Sequence, residues 1–139
     1  VWGDSYLRIG SCSKITAGHK LDLCQSILLG DNSIIAGLAS QLWTHGYVHK
    51  SDGERYRVDG SIDIGKNVYI GSSVIINSNV KISNNITVGS GASVSKNLIL
   101  PGMYVSMPLR YIEKDNDDIS DNLTLVDDQN LCERVYVKN

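Results

Sequence analysis

Few side chains in this sequence titrate near neutral pH, and two of its three histidines sit close together. They are His45 and His49, in the segment His45-Gly46-Tyr47-Val48-His49, with Trp43 and Tyr47 on either side of His45; His19 stands apart upstream. Imidazole has an ordinary pKa of about 6.5, so it can take up and release a proton near working pH. The three cysteines, Cys12, Cys24 and Cys132, show no metal-site spacing and no nucleophile motif. They are expected to be small buried hydrophobes in a reducing compartment rather than a disulfide framework or a catalytic thiol.

The elements that must position these groups follow from a period of six. Ile64, Ile70, Ile76, Ile82, Val88, Val94 and Leu100 are branched aliphatics at every sixth residue. Two residues before each stand Ile62, Val68, Val74, Val80, Ile86, Ala92 and Leu98, and one residue after each stand Gly65, Gly71, Asn77, Ser83, Gly89, Ser95 and Pro101. Two inward side chains around one outward residue make a short strand. The small or turn-forming residue that follows permits a sharp corner, and a positive φ is expected there. Three such units close a triangular coil of about 18 residues, and no coil can bury its inner face without a neighbour. The predicted fold class is all-β, a parallel β-helix; a period of six excludes an α-helix, and hairpin signals for an antiparallel sandwich are missing.

A weaker form of the pattern runs upstream. Inner positions are predicted at Ile9, Ile15, Leu21, Ile27 and Ser33, with partners at Ser11, Ala17, Leu23, Leu29 and Ile35. The register then slips, and the polar, turn-rich residues 44–60 are predicted to leave the coil as an extruded loop. Its closure entropy is modest, and such loops often carry function. The β-helix domain is placed at residues 1–112. Residues 113–139 form an extension, acidic at first and then alternating, expected to cap the last coil.

Composition sets outer limits. Hydrophobic residues make up 42% and charged residues 20%, there is no Phe, and the net charge is −2. This suits narrow layers of aliphatic side chains and gives no basic footprint for nucleic acid. No apolar run approaches the roughly 20 residues of a membrane span, and no signal peptide is visible, so a cytoplasmic location is expected.

The loop and the end of the repeat carry a family resemblance. His45-Gly46-Tyr47-Val48-His49, then Gly53-Glu54-Arg55-Tyr56 and Ile62-Asp63-Ile64-Gly65, resemble the corresponding region of the hexapeptide-repeat O-acetyltransferases. The similarity is to the galactoside, maltose and nodulation-factor branch and to acetyltransferases of capsular and O-antigen polysaccharide synthesis. Val88-Gly89-Ser90-Gly91-Ala92-Ser93-Val94-Ser95-Lys96 and Met107-Pro108-Leu109-Arg110-Tyr111-Ile112 look like that family's closing segments. The resemblance spans about residues 5–112.

The resemblance implies a left-handed winding, which the repeat itself does not dictate because ordinary parallel crossovers are right-handed. It implies acetyl-CoA as co-substrate, a sugar hydroxyl as acceptor, no catalytic metal, and a homotrimer with sites between subunits. His45 would be the general base and the amide of Ser72 an oxyanion donor. Gly71, Ser72, Gly89, Ser90 and Ser95 would lie along the pantetheine arm, with Lys96 and Arg110 toward the phosphates. Trp43, Tyr47 and His49 would meet the acceptor. Asp22 and Asp31 are weaker candidates for sugar-binding acids, and His19 is expected to face outward on an early coil. Glu113 departs from relatives that carry arginine there. Competing readings are an N-acyltransferase on an amino sugar, a non-catalytic scaffold on the same fold, and a zinc enzyme of the γ-class carbonic anhydrase kind built on His19, His45 and His49, whose spacing does not fit.

Overall fold

The computed structural model describes residues 4–106, 110–113, 123–126 and 135–138. The aliphatic period folds into stacked coils with three short strands each. Coil 1 holds β1 (Leu7–Ile9), β2 (Lys14–Ile15) and β3 (Lys20–Leu21), and coil 2 holds β4 (Ile27–Leu29), β5 (Ile34–Ile35) and β6 (Gln41–Leu42). A hairpin of β7 (His45–His49) and β8 (Arg55–Asp59) interrupts the winding. Coil 3 is β9 (Ile62–Ile64), β10 (Tyr69–Ile70) and β11 (Ile75–Ile76); coil 4 is β12 (Lys81–Ile82), β13 (Ile86–Val88) and β14 (Ser93–Val94). Then follow β15 (Gly102–Val105), β16 (Arg110–Ile112), β17 (Leu123–Val126) and β18 (Val135–Lys138).

Equivalent strands of successive coils pair in parallel and make three faces. The first face is β1-β4-β9-β12 and the third is β14-β11-β6-β3. The second, β16-β15-β13-β10-β5-β2, ends with β16 antiparallel to β15. The two inward positions of each unit in coils 3 and 4, from Ile62 to Val94, are at most 2% exposed. Each such aliphatic contributes roughly 1.5–3 kcal/mol by leaving water. Among the described residues no helix is long and apolar enough to cross a membrane.

The upstream register differs from the sequence expectation. Ile9 pairs with Leu29, Ile15 with Ile35 and Leu21 with Leu42, so all three occupy the second inward position. Ile27 and Ser33 occupy the first, while Ser11 and Ala17 are exposed turn residues. The expectation failed because coil 1 advances 20 positions from Ile9 to Leu29, whereas coil 3 advances 18 from Ile64 to Ile82. The additional residues lie between Leu21 and Ile27. Ser33 is tolerated inside because its hydroxyl donates to Gly65 O at 2.8 Å and accepts Val68 N–H at 2.9 Å. At the other end Leu98, not Leu100, follows Ile82 in the inner column, and Leu100 is exposed.

The corners also differ. Positive φ falls three residues after the second inward position, at Asn67, Ser73, Asn79, Asn85 and Gly91, rather than on the residue immediately following it. Gly71 is required for another reason: a Cβ there would lie 2.7 Å from Ser90 N on the next coil. The excursion at residues 44–60 is the β7–β8 hairpin, and Gly60 N–H closes it on Thr44 O at 2.8 Å. In the extension β17 pairs antiparallel with β18.

Candidate functional site

The site is built where the interrupted coil meets the elongated one. His45 and Tyr47 alternate along β7 and so share a face, and Trp43 stands just before the bend at Thr44 that leads into it. The His45 ring is packed edge-on between its neighbours, 6.4 Å from Trp43 and 6.0 Å from Tyr47 between centroids. Edge-on aromatic contacts restrict how that ring can turn. Lys20 Nζ lies 4.8 Å over the Trp43 ring and the Arg55 guanidinium 5.7 Å from that of Tyr47.

Below the ring, the additional residues of coil 1 deliver Asp22 and Cys24 to the base of the hairpin. Asp22 Oδ2 accepts His45 Nδ1–H at 2.7 Å and Thr44 N–H at 2.9 Å. The Thr44 hydroxyl lies 2.8 Å from Asp22 O and 2.9 Å from its Oδ2, and accepts Gln25 N–H at 3.0 Å. Burial opposes the charge on Asp22. The bonds from His45, from the Thr44 hydroxyl, from the Cys24 thiol and from Thr44 N–H outweigh it, and hold the carboxyl well below the usual range. Burial, followed by the bond to Asp22 and its charge, pushes the Cys24 thiol up, so it remains S–H.

Asp59 stands opposite His45 in the hairpin. Arg57 Nε and a terminal guanidinium nitrogen donate to its two oxygens at 2.8 and 2.7 Å. That pairing with Arg57 holds Asp59 below its ordinary pKa. An ionised Asp22 can only accept, so Nδ1 of neutral His45 carries the ring proton and Nε2 keeps its lone pair. The arrangement can remove a proton from a group brought to Nε2.

The other predicted residues are dispersed. Ser95 and Lys96 follow β14 on the same corner as His45, two coils along, and both are exposed. Gly71, Ser72, Gly89 and Ser90 stack at the next corner, across the third face. There Ser72 N–H donates to Ser90 Oγ at 3.2 Å and Gly91 N–H to Ser72 O at 2.8 Å. Arg110 begins β16 at the edge of the second face, exposed. His49 is exposed at the end of β7. One chain therefore does not bring His45 together with the Ser72 corner.

Some expectations need correction. His19 does not face outward: its Nδ1 accepts Ser40 N–H at 3.2 Å and its Nε2–H reaches Thr16 Oγ1 at 2.9 Å. Asp31 pairs with Lys66 at 3.0 Å and accepts Ser11 N–H. Cys12 is exposed and Cys24 half-buried, so neither is a core hydrophobe; Cys132, Met107, Pro108 and Leu109 lie outside the described residues. In the sequence Asp22 is only a weak candidate, and nothing there marks Cys24 or the Arg57–Asp59 pair as site residues. The broken period upstream could have pointed to Asp22 and Cys24, whereas Arg57 and Asp59 stand in β8 of the excursion.

No protein-family model matches the chain, and no curated protein sequence matches it. Solved structures do match. A hexapeptide-repeat-containing acetyltransferase of Vibrio cholerae, complexed with acetyl coenzyme A, is 24% identical over 78% of this chain and 61% of its own, with a TM-score of 0.71. A maltose O-acetyltransferase of Clostridium difficile is 24% identical over 77% and 68%, TM-score 0.63. A galactoside acetyltransferase in complex with coenzyme A is 30% identical over 80% and 56%, TM-score 0.62. The chain thus spans about three-fifths of the length of the Vibrio protein. These likenesses give the chain the fold of the hexapeptide-repeat acetyltransferases, a left-handed parallel β-helix.

Proposed function

We propose that this chain, whose fold is that of hexapeptide-repeat acetyltransferases, is an acetyl-CoA-dependent O-acetyltransferase acting on a sugar hydroxyl, with His45 as general base. The observation that carries the reading is the 2.7 Å bond from His45 Nδ1 to Asp22. It fixes the tautomer and aims Nε2 away from the carboxylate. The acceptor hydroxyl gives its proton to Nε2 as its oxygen attacks the thioester carbonyl carbon. A tetrahedral oxyanion forms and the carbon–sulfur bond breaks. The CoA sulfur takes the proton back from the imidazolium, leaving an O-acetyl ester and free CoA. No covalent enzyme intermediate is needed.

Asp22 stabilises the imidazolium that forms midway, and the edge-on rings of Trp43 and Tyr47 hold it in place. Those same rings offer apolar faces to a sugar. The Ser72 amide is the oxyanion donor in this reading once its N–H leaves Ser90 Oγ, 3.2 Å away, with Gly71, Gly89, Ser90, Ser95, Lys96 and Arg110 along CoA. Because the Ser72 corner lies across a face from His45, the complete site is assigned to the interface of a homotrimer, each pair of chains supplying one corner apiece. A cytoplasmic role in polysaccharide biosynthesis accords with a coenzyme A thioester as donor.

The test is an acceptor screen with acetyl-CoA, read as free thiol release. Hydroxyl sugars should turn over. Preference for amino sugars would convert the reading to N-acylation, and no turnover with either class would reject acetyl transfer.

A further inference from the structure

Cys24 has no part in proton transfer at Nε2, yet its sulfur stands in the closest shell around the dyad. Asp22, Cys24 and His45 each present one donor atom, and the three donors lie within 4.8 Å of one another on half-buried side chains. We propose that these three residues form a binding site for a thiophilic divalent cation of the zinc kind, and that its occupation switches the general base off. Its effect on catalysis rests on the acetyl-transfer reading; the binding does not.

The donor set selects the ion. One imidazole nitrogen, one sulfur and one carboxylate oxygen suit zinc, whereas magnesium and calcium prefer oxygen alone. Zinc holds ligands at about 2.0–2.3 Å, which sets its donors about 3.3–3.8 Å apart. His45 Nδ1 and Asp22 Oδ2, 2.7 Å apart, must therefore part by roughly half an ångström, while the widest pair, within 4.8 Å, draws in by at most about an ångström; side-chain rotation supplies both. Asp22 and Cys24 stand two residues apart in the elongated turn of coil 1, where the Cys24 thiol bonds to the Asp22 carboxylate. The side chains are partly exposed, which leaves room for water as a fourth ligand. Among the described residues no other group of three such donors is found.

The proton balance explains the switch. A coordinating thiol loses its proton outright, and that proton goes to solvent. The metal also takes the Nδ1 lone pair, so the ring proton moves from Nδ1 to Nε2. Asp22 then faces the ion in place of Nδ1–H. One proton is released per ion, and Nε2, now protonated, cannot accept one from a hydroxyl. The bound state is inactive without any change in the coil.

The experiment uses the whole protein, freed of metal with a chelator and titrated with cobalt(II), then zinc. A near-ultraviolet sulfur-to-cobalt charge-transfer band should appear, be displaced by zinc at one equivalent, and be absent with magnesium. Cys24→Ser should remove the band and weaken zinc at least tenfold, while Cys12→Ser and Cys132→Ser keep both. A cobalt spectrum without the sulfur band, or equal zinc affinity in wild type and Cys24→Ser, overturns the site. Acetyl transfer should fall with the same zinc midpoint as the spectrum; transfer that persists at saturation overturns the switch. Since the spectrum does not depend on turnover, failure of the acetyl-transfer reading and failure of the site are read separately.

Discussion

His45 Nδ1 and Asp22 Oδ2 lie 2.7 Å apart although the residues are 23 positions apart in the chain. The contact exists because the elongated turn of coil 1 and the base of the hairpin meet at one corner. Its chemical consequence is directional. A carboxylate only accepts, whereas the amide of an Asp22→Asn variant can turn its NH₂ toward the ring and leave the ring proton on Nε2. Asp22→Asn should lower kcat by about 10²–10⁴ with the KM for acetyl-CoA little changed, and His45→Ala should do the same. The double variant should be no worse than the weaker single one, because the two residues act as a unit. Steady-state thiol release measures all three, and a loss under about fivefold for Asp22→Asn would remove the tautomer argument.

The same pair predicts an acid limb of stability. Asp22 is depressed in the folded chain relative to an unfolded carboxyl of about 3.9, so the folded state binds fewer protons than the unfolded one. Its contribution is therefore fully present above the unfolded value and is lost as pH falls from about 5 through 3.9 toward the folded pKa. Urea unfolding from pH 7 to pH 3 should show stability falling below pH 5. Asp22→Asn should be less stable at pH 7 and show a shallower fall. A parallel displacement of the two curves would mean that other carboxyls carry the limb.

How much of this was readable from sequence depends on where the period holds. From Ile62 to Val94 every inward side chain stands at its predicted position, because identical hexads stack without insertion and each slip would expose an aliphatic. Residues 44–60 break the period with polar and turn-forming residues, which marks a departure from the coil but not its pairing as a hairpin. The dyad was not legible. Asp22 and Cys24 sit in a two-residue elongation that resembles a degraded repeat, and one sequence cannot separate decay from a purposeful bulge. Leu98 was misplaced by the reverse event, the shorter advance of 16 positions from Ile82 to Leu98. His19 looked like an outward residue, but two backbone-anchored hydrogen bonds turn it inward.

Coil stacking makes two distinguishable demands on stability. Ile70 is fully buried, and Ile70→Ala should cost about 2–5 kcal/mol through lost burial and the cavity left behind. Gly71 is limited by backbone approach, since an added Cβ meets Ser90 N at 2.7 Å. Gly71→Ala should cost about 1–3 kcal/mol by forcing coils 3 and 4 apart. Adding Ile70→Val should be milder than either, about 0.5–1.5 kcal/mol. Urea midpoints at constant slope measure the series; a Gly71→Ala variant as stable as wild type would show that the coils yield at that corner.

The separation of His45 from the Ser72 corner leads to a test of assembly that needs no structure of the complex. In a closed trimer with heterologous interfaces, one corner of each chain meets a different corner of the next. His45→Ala removes the base from one corner. Ser90→Trp fills the other: Ser90 is exposed, and its hydroxyl accepts the Ser72 N–H. Each variant alone should be inactive. Unfolded, mixed in equal amounts and refolded together, the two chains assort at random, and about a quarter of the interfaces then pair an intact His45 with an intact Ser90. Activity should return to about that fraction of wild type, and light scattering should report trimers throughout. If each chain held a complete site, every subunit would carry one of the two lesions and no mixture could recover. Absence of recovery in folded, trimeric mixtures would therefore return the whole site to a single chain and detach the Ser72 corner from the chemistry of His45.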